Sequence, residues 1–254
     1  MTLETARNHR PIPILVYHQI APAPARGAPF RSLYVAPAAF ARQMRFLAHL
    51  GWRGLSMTAL LPFLRGERQG RVLGITFDDG YVNNLEYAAP VLQALGFSAT
   101  CYAVSGQVGG ANVWDAVHSM AQVPLMDAAQ MARWCAAGHE IGAHTVHHVH
   151  LDQLDGGTAR HEIEASGVQL QALLGGMPVS HFCYPYGDFA PAHPAMVAQS
   201  GYASATTTAR GRVRAGDAMM ALPRVPVLRS TTCAQLWLKV ATGYEDRRRR
   251  HGAA

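Results

Sequence analysis

Short apolar runs alternate along the chain with longer stretches in which apolar residues recur every three or four positions. The runs Ile12–Tyr17, Val72–Phe77, Ser98–Ser105, Glu140–Ala143, Phe182–Tyr184, Tyr202–Thr206 and Leu222–Val227 predict strands. Helices are predicted from Pro37 to Leu50, with Phe40, Met44 and Leu47 on one face, and over Leu85–Leu95. Three more run from an Asp127 cap to Ala137, from a Thr158 cap to Leu174, and over Thr232–Gly243 as the last element. Pro37 suits a first helical turn, and Gly51, Gly96, Gly138 and the pair Gly175-Gly176 stand where helices stop.

Strands alternating with helices imply parallel βαβ units, and seven or eight such strands suit a closed or nearly closed barrel of the α/β class. In such barrels the chemistry collects at the C-terminal ends of the strands. Reactive polar residues should therefore follow the strand-like runs, and they do so in four places.

Thr76-Phe77-Asp78-Asp79-Gly80 follows the run Val72–Phe77. Two adjacent carboxylates at a strand end are costly unless a cation neutralises them or one acid is tuned for a task. The alternative is a plain Asp-Asp-Gly surface turn. Gly142-Ala143-His144-Thr145-Val146-His147-His148-Val149-His150 places four histidines within seven residues. Neutral imidazole is a common ligand for zinc and related metals. A helical turn would bring together rings three or four residues apart, and an extended segment would favour His148 with His150. A surface cluster without metal is the alternative. Phe182-Cys183-Tyr184-Pro185-Tyr186-Gly187 can form a rigid aromatic wall with exposed backbone N–H groups, or be ordinary turn packing. Tyr17-His18 follows the first strand, where an isolated histidine is more often structural than catalytic.

With 254 residues, 49% of them hydrophobic, the chain can bury one sizeable core, and 15% charged residues argue against disorder of the bulk. This gives one domain over residues 1–246 and a basic tail over 247–254. Part of the net charge of +6 lies in Arg247, Arg248, Arg249 and Arg250. No aromatic or Gly-rich pattern accompanies this run, so a solvated tail is preferred to a nucleic-acid partner, with contact to a membrane surface kept open. Cys101, Cys135, Cys183 and Cys233 are widely spaced and read as free thiols. Neither a secretory pattern nor about 18 consecutive apolar residues is present, giving a cytoplasmic expectation, with peripheral association to the inner membrane as an addition.

Together the motifs resemble the polysaccharide deacetylase family with the NodB-homology domain, carbohydrate esterase family four. TFDDG at 76–80 is similar to its first motif, and HTVHH at 144–148 to its His-Ser/Thr-x-x-His second motif; the resemblance covers about residues 12–230. It implies a distorted β/α barrel and hydrolysis of the N-acetyl amide of an amino sugar, releasing acetate. It also implies Asp79, His144 and His148 as metal ligands and Asp78 as general base. The implied metal is zinc, with cobalt, nickel or iron accepted by similar ligand sets.

Two positions depart from the common pattern. Cys183 stands where the third motif usually has an arginine, so the guanidinium that orients the base is missing there; Arg224 is a candidate to replace it. No histidine lies between His193 and His251, where a late Leu-x-His motif would supply the general acid. ILVYHQI at 14–20 and YPYG at 184–187 are instead similar to the poly-N-acetylglucosamine deacetylases, in which the motif order is permuted and an early histidine takes the acid role. That makes His18 the candidate acid and the Tyr186 backbone N–H a candidate oxyanion donor, with Tyr184, Pro185 and Trp114 along the sugar cleft. The partner implied is a carbohydrate bearing N-acetyl groups. Alternatives are a cytoplasmic lipid-linked or nucleotide-linked acetamido sugar as substrate, or a non-catalytic carbohydrate-binding relative.

Overall fold

The computed structural model describes residues 10–249. Strands β1 (Ile14–Tyr17), β5 (Val72–Phe77), β6 (Thr100–Ala103), β7 (Glu140–Ala143), β8 (His181–Cys183), β9 (Ser204–Arg210) and β10 (Leu222–Pro226) pair in parallel around a closed ring. Pairing of β1 with both β10 and β5 closes it, as in Leu15 opposite Val225 and Tyr17 opposite Phe77. An eighth strand, β4 (Arg53–Leu55), lies along the first half of β5, and β6 takes over the same edge from Thr76 onward. The short strands β2 (Gln19–Ile20) and β3 (Tyr34–Val35) pair with each other above β1. The fold is thus the expected barrel, with seven strands in the ring.

All six residues of β5 are buried, as a strand walled by neighbours on both edges and both faces requires. The barrel interior is narrow enough that only glycine fits at position 142, because a Cβ there would run into the ring of Tyr102. Outside the strands, α1 (Pro37–His49) buries Phe40, Met44 and Leu47 against the sheet, and Gly51 follows it with φ 78°. Next come α2 (Met57–Leu64), α3 (Ala89–Ala94), α4 (Ala128–Ala136), α5 (Gly156–Leu173), α6 (His193–Gln199), α7 (Cys233–Ala241) and α8 (Tyr244–Arg249). Asp127 caps α4 through the Gln130 N–H at 2.7 Å, while the Gln130 side chain accepts from the Asp127 N–H at 2.9 Å.

Several sequence expectations are corrected. The cap of α5 is Asp155, which accepts from the N–H groups of Gly157 and Thr158; Thr158 sits inside the helix and donates its hydroxyl to Asp155 at 2.6 Å. The segment read as one helix from Leu85 opens as a wider turn over Asn84–Ala88 before α3 begins. The strand expected from Tyr202 starts at Ser204 and runs on to Arg210. Helix α7 is not the last element, because α8 follows and takes in residues 247–249 of the expected tail. Residues 250–254 lie outside the described residues. All four cysteines are free thiols. Among the described residues, no helix is long and apolar enough to cross a membrane.

Candidate metal centre and active site

Asp78 and Asp79 leave β5 in a tight turn in which Asp79 has φ 76° and Gly80 φ 87°. A left-handed backbone at a non-glycine residue carries strain, which Asp tolerates better than most. The turn sends the two carboxylates to different partners. Asp79 Oδ1 lies 3.5 Å from His144 Nε2 and 3.3 Å from His148 Nε2. These separations exceed an ordinary N–H···O bond. They match the edge of a tetrahedron of ligands about 2.0–2.1 Å from one centre, which is about 3.3 Å. The three ligand atoms lie within 4.8 Å of one another, and all three residues are buried.

The two rings converge without a helix. His144 follows β7, then Thr145 (φ 64°) and His148 (φ 57°) turn the chain back. The Thr145 hydroxyl accepts from the His148 N–H at 2.9 Å. The His144 Nδ1 lies 2.7 Å from the Cys183 carbonyl. A carbonyl only accepts, so Nδ1 carries the proton and Nε2 presents its lone pair toward Asp79. The other two histidines of the cluster go elsewhere. His147 Nδ1 meets Glu162 Oε1 at 2.6 Å, and His150 Nδ1 meets Asp188 at 3.1 Å. Glu162 also accepts the N–H groups of Val146 and His147, at 2.8 and 3.0 Å, so one buried carboxylate on α5 fixes the whole loop.

Asp78 faces Arg224, on β10. Arg224 Nη1 and Nη2 donate to Oδ1 and Oδ2 at 2.6 and 2.7 Å, a two-pronged ion pair with both groups buried. Arg224 also donates through Nε to the Thr207 carbonyl at 2.8 Å and through Nη1 to Thr76 Oγ1 at 3.2 Å. Cys183 Sγ lies 3.2 Å from Arg224 Nη2, so the thiol occupies the space beside the guanidinium. Burial alone would raise both aspartates. In Asp78 the charge and hydrogen bonds of Arg224 prevail and hold the carboxyl below its ordinary range; in Asp79 the hydrogen bonds of His144 and His148 do so more strongly. His18 Nε2 stands 3.9 Å from Asp78 Oδ2, on a ring still 27% open to solvent.

The aromatic residues divide. The Trp114 ring stacks on His148, with centroids 4.4 Å apart, and the Tyr186 ring stacks on His150 at 3.7 Å while its edge meets His148. Tyr186 is exposed, has φ 59°, and its carbonyl accepts from Thr208 Oγ1 at 2.9 Å. Pro185 is buried beside it. Tyr184 is placed differently from the cleft position read in the sequence. It is fully buried against Phe182 and Phe189, with its hydroxyl donated to the Met220 carbonyl, so it offers no face to a sugar.

Some residues at the site were not singled out in the sequence. Asn84 donates to the His18 carbonyl at 2.9 Å and Asn83 accepts from the Ile20 N–H at 3.1 Å, bracing the segment that carries His18. Asp115, adjacent to Trp114, is buried; burial raises its carboxyl, the Asn112 amide opposes this, and the charge of Asp79 adds to it. Glu162 did leave a signal, since it shares the buried face of α5 with Ala159, Ile163, Ser166 and Leu170, where a carboxylate is out of place without a partner.

A sequence model described as polysaccharide deacetylase matches residues 65–205. The chain belongs to this family. YxkH of Bacillus subtilis (strain 168), which carries the provisional name of a polysaccharide deacetylase, is 27% identical over 218 residues, covering 85% of this chain and 71% of that protein. The structure of the deacetylase PplD of Streptococcus pyogenes, solved in complex with acetate, superposes with a TM-score of 0.81 at 23% identity, over 92% of this chain and 99% of that one. IcaB from Ammonifex degensii superposes with a TM-score of 0.72 at 23% identity, over 89% and 95%. At these identities the two structures speak for a shared barrel. The matched segment holds Asp78, Asp79, His144 and His148, whereas His18, after β1, and Arg224, on β10, lie outside it.

Proposed function

We propose that the protein is a metal-dependent deacetylase that hydrolyses the N-acetyl amide of an amino sugar in an N-acetylglucosamine-type poly- or oligosaccharide. The observation that carries this is the grouping of Asp79, His144 and His148 at tetrahedral spacing beside a second carboxylate, Asp78, held by Arg224. Asp79, His144 and His148 would hold the ion and leave one position open, and this donor set suits zinc, cobalt, nickel or iron. Such an ion supplies polarisation of the acetyl carbonyl and a lowered pKa for water at the open position.

The chain's own groups do the rest. Asp78 takes the proton of the attacking water at its carboxylate, which Arg224 holds in one orientation. The backbone N–H of Tyr186 donates to the developing oxyanion of the acetyl group. His18, on the more open side of Asp78, gives its proton to the sugar nitrogen as the C–N bond breaks, leaving acetate and a free amine. Trp114 and Tyr186 flank the site as walls for the sugar ring. The early Tyr17-His18 pair supports placing the chain with the poly-N-acetylglucosamine deacetylases.

Metal content by elemental analysis, coupled to acetate release from short N-acetylglucosamine oligomers, tests the proposal. One equivalent of metal with acetate release is the expected result. Metal without acetate release would move the substrate to a lipid-linked or nucleotide-linked acetamido sugar. Absence of metal after reconstitution would overturn the ligand assignment and favour a carbohydrate-binding role.

A further inference from the structure

The Asp78-Asp79 pair follows the last residue of β5, and Arg71 precedes its first, about 20 Å away along the strand. At this far end, where β1 and β5 begin, the protein opens into a second cavity of about 740 Å³. Arg10, Arg68, Arg71 and Arg212 line it together with Trp52 and Phe63, and among the described residues no carboxylate lines it. Arg212 is committed to Asp246, at 2.8 Å. Arg71 lies over the Trp52 ring, 5.1 Å from its centroid. Arg10, Arg68 and Arg71 make no ion pair with a described residue, and Glu67, next to Arg68, is exposed and outside the lining.

Arg10, Arg68 and Arg71, with no counter-ion among the described residues, make this concavity electropositive, and such a field draws anions. Guanidinium presents its donors in a planar fork that matches the oxygens of phosphate. Trp52, with Arg71 over its ring, adds an apolar surface to the same cavity. We propose that this cavity binds a phosphate-bearing ligand, at a site separate from the metal centre. A free phosphorylated compound and the headgroup of an anionic lipid share this chemistry.

Calorimetric titration of the full chain with inorganic phosphate in chloride buffer of constant ionic strength, and co-sedimentation with phosphatidylglycerol vesicles against phosphatidylcholine vesicles, test the site and distinguish the two sources. Saturable binding of phosphate, sedimentation with the anionic vesicles, or both, is expected. The double variant Arg68→Glu, Arg71→Glu should weaken that binding by about tenfold or more. Both side chains are on the surface, so the variant should melt and release acetate as the parent does. Phosphate also has access to a metal centre, and the double variant separates the two, since it leaves the metal ligands untouched. Neither phosphate nor vesicle binding, or binding unchanged in the double variant, would overturn the proposal.

Discussion

Arg224 reaches from β10 to grip both oxygens of Asp78, which follows β5, with β1 the strand that links β10 to β5 around the ring. The guanidinium absent at Cys183 is thus present in the same space, delivered from another strand. Cys183 Sγ, 3.2 Å from Nη2, marks how close the two positions are. Removing Arg224 would strand a buried carboxylate, so Arg224→Ala should destabilise the protein by about 3–5 kcal/mol. The double variant Arg224→Ala, Cys183→Arg should recover part of that loss. Thermal melts of the three proteins check this; a double variant no more stable than Arg224→Ala would mean that the two positions are not interchangeable.

Asp78 and His18, 3.9 Å apart, are not among the proposed ligands and should separate from them in experiment. Asp78→Asn and His18→Ala are each expected to keep a full complement of metal while acetate release falls by about a hundred- to ten-thousand-fold. His144→Ala should lose the metal itself. Elemental analysis beside turnover reads the distinction, and wild-type turnover in His18→Ala would remove that residue as the acid.

Glu162 accepts three hydrogen bonds from the loop between His144 and His148, the proposed ligands. Glu162→Ala should therefore lower metal affinity by about 10- to 100-fold, the range seen when groups that orient ligands are lost. Metal competition with a chelator of known affinity measures it. Glu162→Gln, which keeps one accepting oxygen, should fall between the two.

Acid should loosen helix α8. Asp246 is buried against Arg212 and Arg214; burial would raise its carboxyl, but the hydrogen bonds of Arg212 prevail and bring it down to about 2. A carboxyl whose folded pKa is depressed stabilises the fold above its unfolded value of about 3.9 and loses that contribution as pH falls through the folded value. The melting temperature should therefore drop as pH falls from about 4 toward 2. Asp246→Asn should melt lower at neutral pH and show a shallower drop; an unchanged slope would place the acid sensitivity elsewhere.

The barrel was legible because its strands are short, apolar and separated by capped helices, as in Val72–Phe77 and Glu140–Ala143, whose limits match the structure to the residue. Strand β4 escaped because it contributes only Arg53-Gly54-Leu55, too short for a periodicity. Asp79, His144 and His148 stood out through unusual density of residue type, but their convergence did not. It depends on left-handed turns at Asp79, Thr145 and His148, which no periodicity announces. Asn83 and Asn84 were invisible for a related reason, since their partners, Ile20 and His18, are brought near only by the pairing of β1 with β5. Tyr184 misled because the chain leaves the strand in a left-handed turn at Tyr186 (φ 59°), which exposes that ring while the Tyr184 ring packs against Phe182 and Phe189.

The closing seam between β1 and β10 also sets an order of events for a chain refolding from denaturant. Asp79, His144 and His148, the proposed ligands, come from the middle of the chain, around consecutive neighbours β5, β6 and β7, and come together as soon as those strands associate. Arg224 comes from β10, 146 residues along the chain from Asp78, and meets it only when the longest loop of chain has closed, the slowest kind of contact to form. Metal uptake should therefore precede the recovery of turnover, and the interval between them is a clock for closure of the ring.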